Sequence, residues 1–148
     1  MMRAALVLIT VVGLAGPALA LTPDHVERVL DGKSCTGCDL GGAGFEGANL
    51  AGADLASANL MAAYMPGADL SKADLSDANL SGANLRSANL RGAKLTGADL
   101  SASLLSQADL TGADLTNARI TGTAMLDSVF CRTTMPDGAV NNVGCSGN

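Results

Sequence analysis

The sequence predicts an all-β solenoid, and three observations carry that expectation. An apolar residue recurs at every fifth position from Leu40 to Met135, twenty positions of which 14 are Leu. Two places before it, 15 of the 20 positions hold Ala, the exceptions being Cys38, Ser103, Thr123, Ser128 and Thr133. Aromatic residues are reduced to Phe45, Tyr64 and Phe130, against 26 Ala, 22 Leu and 18 Gly. An interior of Leu and Ala is not that of an ordinary globular domain.

The period selects the backbone. On an α-helix, five residues advance by roughly 500°, so successive leucines scatter around the helix. In a strand the side-chain period is two, so an odd repeat sends alternate leucines to opposite faces. The chain must therefore turn once per five residues, with the Leu and the preceding Ala pointing inward. Gly at nine of the 20 positions two after the Leu suits such corners. The place between Ala and Leu is mostly Asp or Asn. Backbone hydrogen bonds then run between stacked coils about 4.8 Å apart.

A chain of 148 residues allows one domain, or one domain plus a leader. Arg3 precedes a largely apolar stretch that ends in Ala18-Leu19-Ala20. A charged start, an apolar middle and a small-residue end predict a secretory signal peptide over 1–20, cut after Ala20. A membrane anchor is the competing reading, but the stretch is short for a span and no basic cluster follows it. Export to the periplasm or beyond follows, with oxidising surroundings for the four cysteines.

Quoted as they stand, Ala48-Asn49-Leu50-Ala51-Gly52 and Ala113-Asp114-Leu115-Thr116-Asn117 resemble the motif of the pentapeptide-repeat family. The resemblance covers about residues 38–137. It implies a right-handed quadrilateral β-helix of about five coils, four repeats to a coil, roughly 24 Å long at 4.8 Å per coil. Thr123, Ser128 and Thr133 in place of Ala read as a weakening of the last coil.

Open coil ends need caps. Residues 21–37 form the N-terminal cap: Thr22 as N-cap, Pro23 and Asp24 in the first turn, Val26, Val29 and Leu30 on one face, and Gly32 as the stop. At the other end Met135-Pro136-Asp137-Gly138 is a turn signal, and the tail 138–148 is expected to fold back. Tails with cysteines placed like Cys131 and Cys145 resemble those of exported bacterial relatives.

Cys35 and Cys38 form a CxxC, and four cysteines permit three pairings. The two pairs lie at opposite ends of the solenoid, too far apart for one zinc site. A redox CxxC belongs at a helix N-terminus, whereas a repeat follows Cys38. Two structural disulfides, Cys35–Cys38 and Cys131–Cys145, are favoured over redox chemistry.

No catalytic constellation is legible. His25 is the one histidine and is expected in solvent on the cap, so a Ser-His-Asp triad has no base. A formal net charge of −5 argues against a basic nucleic-acid surface. Four-sided stacking places Asp54, Asp74, Lys94 and Asp114 on one wall, Asn49, Asp69, Asn89 and Asp109 on another, and Asp39, Asn59, Asn79 and Asp99 on a third. That spacing reads as management of like charge rather than a metal ladder. No cofactor or metal is expected.

The remaining wall carries Gly44, Tyr64, Asn84, Leu104 and Ala124, with Pro66 and Leu126 just after its inward residues. Tyr64, Pro66, Leu104 and Leu126 are the candidate interaction residues. Isolated exposed apolar residues are common and usually silent, yet Tyr is a frequent interface anchor. The sequence thus points to a secreted, non-enzymatic solenoid acting as a protein-binding or structural module in the periplasm, with an unidentified protein partner, as a monomer or weak homodimer, without nucleic acid or stable membrane insertion. The alternative, drawn from the same resemblance, is an acidic rod that mimics duplex DNA and regulates DNA gyrase. The leader opposes it, as does a basic belt of Arg86, Arg91 and Lys94 on the third coil.

Overall fold

The computed structural model describes residues 23–146. The leader 1–20, its cut after Ala20 and the N-cap residue Thr22 lie outside the described residues.

Parallel bridges join residues 20 apart along every side: Asp39–Asn59–Asn79–Asp99–Arg119 on the first, Gly44–Tyr64–Asn84–Leu104–Ala124 on the second, Asn49–Asp69–Asn89–Asp109–Val129 on the third, and Asp54–Asp74–Lys94–Asp114–Thr134 on the fourth. A register of 20 with a repeat of five gives four sides to a coil and five levels. The fold is a right-handed quadrilateral β-helix. Each side is a single bridge wide, so its order comes from the neighbouring coils. The inward N–H reaches down, as from Leu80 to the Asp99 carbonyl at 2.7 Å. The next outward N–H reaches up, as from Asn79 to the Ala58 carbonyl at 2.9 Å.

The core is the Leu and Ala set that the period picks out. Every fifth-position residue from Leu55 to Leu115 has no exposed surface, and the Ala before each is equally enclosed from Ala58 to Ala98. Ala lets the walls approach while Leu fills the axis. Between them the chain turns: the Ala83 N–H donates to the Leu80 carbonyl at 3.0 Å, closing a four-residue turn. The third residue of that turn takes positive φ. Gly82 has φ 67°, where glycine meets no steric cost. Ala62 occupies the equivalent place at φ 55° and carries left-handed strain.

The Asp and Asn before each Leu do more than face solvent. In twelve repeats the Oδ1 of that residue accepts the N–H two residues on, for example Asp114 from Thr116 at 2.9 Å and Asn79 from Ser81 at 3.1 Å. These are Asx turns, which set up the corner the chain is about to make.

At the top, α1 (Pro23–Leu30) lies over the first coil, with Val26 and Val29 in the same apolar cluster as Leu40 and Phe45. Leu30, expected on that face, is instead 38% exposed. Three apolar positions spaced three and one apart exceed what a two-turn helix can bury on one narrow seat. Gly32, at φ 71°, ends the helix, and the Lys33 N–H closes on the Arg28 carbonyl at 3.0 Å. His25 is half-buried rather than solvated. Its Nδ1 accepts the Asp39 N–H at 3.2 Å, the kind of upward donor that lower coils satisfy with the coil above.

Cys35 fills the inward position five before Leu40, and its N–H donates to the Asp54 carbonyl at 2.9 Å. The stack therefore begins one corner before Cys38. A disulfide joins Cys35 to Cys38 across that corner. At the bottom, β1 (Thr133–Thr134) pairs antiparallel with β2 (Val140–Asn141) through the Met135–Gly138 turn, and Cys131 is bonded to Cys145. The described residues hold no free cysteine.

The hydroxyl residues near the end strengthen the last coil rather than weaken it. Thr123, Ser128 and Thr133 donate to the carbonyls of Leu100, Leu105 and Leu110 in the coil above, at 2.8, 2.7 and 2.6 Å. Each hydroxyl fits the small inward place and adds a bond that Ala lacks.

Two outcomes are expected. Leu80→Asp puts a charge where Leu burial is worth roughly 1.5–3 kcal/mol and unfolds the protein. Ala62→Gly leaves the melting temperature level or raises it, since glycine relieves the left-handed strain. Circular dichroism melts check both, and equal small effects would contradict the inward register. Reduction of Cys131–Cys145 releases a loop spanning 14 residues, worth about 3 kcal/mol in the chain-entropy view. Hydrogen exchange is expected to rise in 128–146 before it rises in the central coils.

Candidate interaction wall

Three sides of the solenoid are bound up in their own upkeep. On the first, Asn59 Nδ2 donates to Asp39 Oδ1 at 2.9 Å; on the third, Asn89 Nδ2 donates to Asp69 Oδ1 at 3.1 Å. Interleaved Asn thus separates like charges and bonds the carboxylate above. Cations do the same across coils: Arg91 with Asp109 at 2.9 Å, Lys94 with Asp74 at 3.5 Å, and Arg119 with Asp99 at 3.7 Å. These pairs are exposed and individually contribute little.

The adjoining Asp54 and Asp74 on the fourth side lack such a spacer. Asp54 is relieved from above instead. The Ser34 hydroxyl at 2.7 Å, the Thr36 hydroxyl at 3.0 Å and the Ala56 N–H hold its carboxyl below the usual range, against the repulsion of Asp74. The hydroxyl and N–H of Thr116 lower Asp114 in the same manner, at 2.5 and 2.9 Å.

The second side differs at every level but that of Asn84. Its centres are Gly44, Tyr64, Asn84, Leu104 and Ala124, none of them charged and only Asn84 forming an Asx turn. Tyr64 is 47% exposed, next to the bare backbone of Gly44, while Leu104 is half-buried two levels below. Pro66 suits a repeat whose centre makes no Asx turn. In the twelve repeats with an Asx turn, the residue two after the centre offers an N–H that the Asx oxygen accepts. Proline has none, and it presets the second turn position while Gly67, at φ 66°, takes the third. The corner forms without help from the centre, as it also does after Leu104, where Ser106 stands in the proline place and the Ala108 N–H still closes on the Leu105 carbonyl at 2.9 Å. Leu126, 72% exposed, stands at the corner of the last level rather than on the flat of the side.

The structure thus places Tyr64 and Leu104 on one side, with Pro66 and Leu126 at the corner that follows it, and separates the two disulfides to the two ends. Sequence reasoning missed the Asx turns, although Asp or Asn two before a corner was their signal. Among the described residues, no cluster of His, Cys, Asp and Glu is placed to hold a metal ion. No described helix is long and apolar enough to cross a membrane.

A family model for pentapeptide repeats matches in eight copies over residues 34–65, 63–101 and 93–130. A pentapeptide repeat protein from the thylakoid lumen of Arabidopsis thaliana is 26% identical, with TM-score 0.54, covering 79% of this chain and 83% of its own. Another from Nostoc is 32% identical, with TM-score 0.52, covering 70% of this chain and 94% of its own. No curated protein sequence matches the chain closely enough to supply a relative.

The carboxylate bonds have a pH consequence. A carboxyl lowered in the folded state adds stability above its unfolded value, about 3.9, and that stability is lost as pH falls through the folded value. The melting temperature is expected to stay level from neutral pH to about 5 and to drop below about 4. Thr116→Val, which removes a donor to Asp114, is expected to make the drop shallower. An identical acid profile in the variant would contradict the role given to this hydroxyl.

Proposed function

The chain belongs to the pentapeptide-repeat family, and from that premise we propose that it is an exported, non-enzymatic solenoid that binds a protein through the side bearing Tyr64 and Leu104. The observation that carries this reading is the contrast between sides. Three spend Asp and Asn on corners and charge spacing; the second sets out uncharged centres with an exposed Tyr64 above a half-buried Leu104. The surface is stiff, since every level is bonded to the next, so little entropy opposes docking. Tyr supplies a large contact area with few torsions to freeze.

Export is supported by the leader-like 1–20 and by disulfides at both ends, which persist in oxidising compartments. The non-enzymatic reading is supported by the half-buried position of His25, whose Nδ1 is taken up by the Asp39 backbone. Mimicry of duplex DNA toward DNA gyrase has weaker support: the most distinctive side has no charged centre, and Arg91, Lys94 and Arg119 interrupt the acidic ones.

The test is capture of partners from the cell envelope with the wild-type protein and with Tyr64→Ala plus Leu104→Ser. Captured partners are expected to fall by about tenfold or more with the double variant at an unchanged melting temperature. Undiminished capture removes this side from the account, and recovery of gyrase in place of an envelope protein favours the alternative.

A further inference from the structure

The lower end of the solenoid is finished on only two of its four sides. In upper coils the inward N–H and the third turn residue's N–H both donate to the coil below, as Leu100 does to Arg119, Ala102 to Thr121, Leu105 to Ala124 and Gln107 to Leu126. In the last coil the returning tail serves the third and fourth sides. Phe130 donates to the Val143 carbonyl at 2.8 Å, Arg132 to Asn142 Oδ1 at 3.2 Å, and Met135 to the Ala139 carbonyl at 2.8 Å. Among the described residues, the first and second sides receive no such layer. The N–H groups of Ile120, Gly122, Met125 and Asp127 have no acceptor among the described residues. Ile120 and Met125 are only half-buried, where the same positions higher up are sealed.

The end is therefore a step, one layer high on one half and bare on the other. β2 is the outer strand of a two-stranded sheet, so its far edge is also unpaired. Of the five large apolar residues exposed in the described chain, three are here: Leu126, Val140 at 60% and Val143 at 64%. A cavity of about 580 Å³ lies in the angle of the step, lined by Ile120, Met135, Pro136 and Val140 among others. An unpaired edge of this kind is a template for another strand.

We infer that this end is closed by a second copy of the chain, related by a twofold axis lying along the step. Each tail then rests on the bare half of the other molecule. The two tails share one layer and complete a coil between them. Val140 and Val143 of each copy cover Ile120 and Met125 of the other, and the stranded N–H groups gain carbonyl partners from the facing tail. A step is self-complementary under such an axis, as an isologous contact requires. Charge permits it too. The chain carries −5, yet residues 118–146 hold two arginines, Arg119 and Arg132, and two aspartates, Asp127 and Asp137. Two acidic molecules thus meet end to end without net repulsion. A contact confined to one end of a slender rod falls below about 1,200 Å², the lower bound for stable complexes, so the dimer is expected in the micromolar range.

Sedimentation velocity of the purified protein over a wide concentration range tests this. A monomer–dimer equilibrium is expected, with the amides of Ile120, Gly122, Met125 and Asp127 exchanging more slowly as dimer accumulates. Val140→Lys with Val143→Lys alters exposed side chains only and is expected to weaken association by at least about tenfold without lowering the melting temperature. Tyr64→Ala with Leu104→Ser is expected to leave it unchanged, which separates this contact from the proposed partner side. A monomer at every concentration, a dimer untouched by the double lysine variant, or a dimer lost with Tyr64 and Leu104 would each overturn the proposal.

Discussion

Every coil of this molecule is held by backbone bonds to the coils above and below, in a register of 20 residues. That pairing governs the rest. A single side, one bridge wide, has no stability of its own, and a five-residue repeat offers no local element that could form first. Stacking alone satisfies the polar backbone, and only stacking encloses the Leu and Ala that drive the chain together. The same dependence makes the ends costly, because the first and last coils each lack a neighbour.

The corner chemistry follows from that requirement. To hold the register, each corner must recur in the same place, level after level. Two devices achieve it: a residue at positive φ in the third turn position, and an Asx oxygen that gathers the N–H two residues on. Where the Asx oxygen is missing, as at Lys94 and Leu104, the corner still forms on positive φ alone, at Gly97 and Gln107. Pro66 presets the corner below Tyr64, and Ser34 and Thr36 compensate Asp54 at the top, where no coil supplies a spacer. Positive φ is thus the device the corners share, and Lys72, Gln107 and Arg132 adopt it at φ 58°, 64° and 55°.

The legibility of the sequence divides along the same line. The solenoid, its inward residues and the four bridging columns were readable because period and residue type act through geometry that repeats twenty times. What happens once was harder to read. His25 accepts the Asp39 N–H only because α1 settles across the first coil, and no spacing of residues announces that contact. Leu30 shares the helical period of Val26 and Val29 but loses its place to the narrowness of the seat. Thr123, Ser128 and Thr133 looked like decay of the motif, since a repeat records what is usual inside; the carbonyls 23 residues back that they bond are visible only in three dimensions. On the second side, the exposure of Tyr64 was readable, whereas the fit of Pro66 to a centre without an Asx turn depends on the turn beneath it.

The proposed contacts lie where upkeep is relaxed. Asp69, Asp74, Asn79 and Asp114 are committed to corners and to their neighbours above and below. A partner that claimed their oxygens would compete with bonds that hold the register. Gly44, Tyr64, Leu104 and Ala124 have no such duty, so their side chains are free to vary without cost to the stack. The same argument extends to the bare half of the last coil, where Ile120 and Met125 keep the repeat's inward residues but have lost the layer that would have sealed them. One surface is free because its side chains are unneeded by the fold, the other because its backbone is unfinished. The first suits recognition through side chains, and the second suits only a partner that brings backbone of its own.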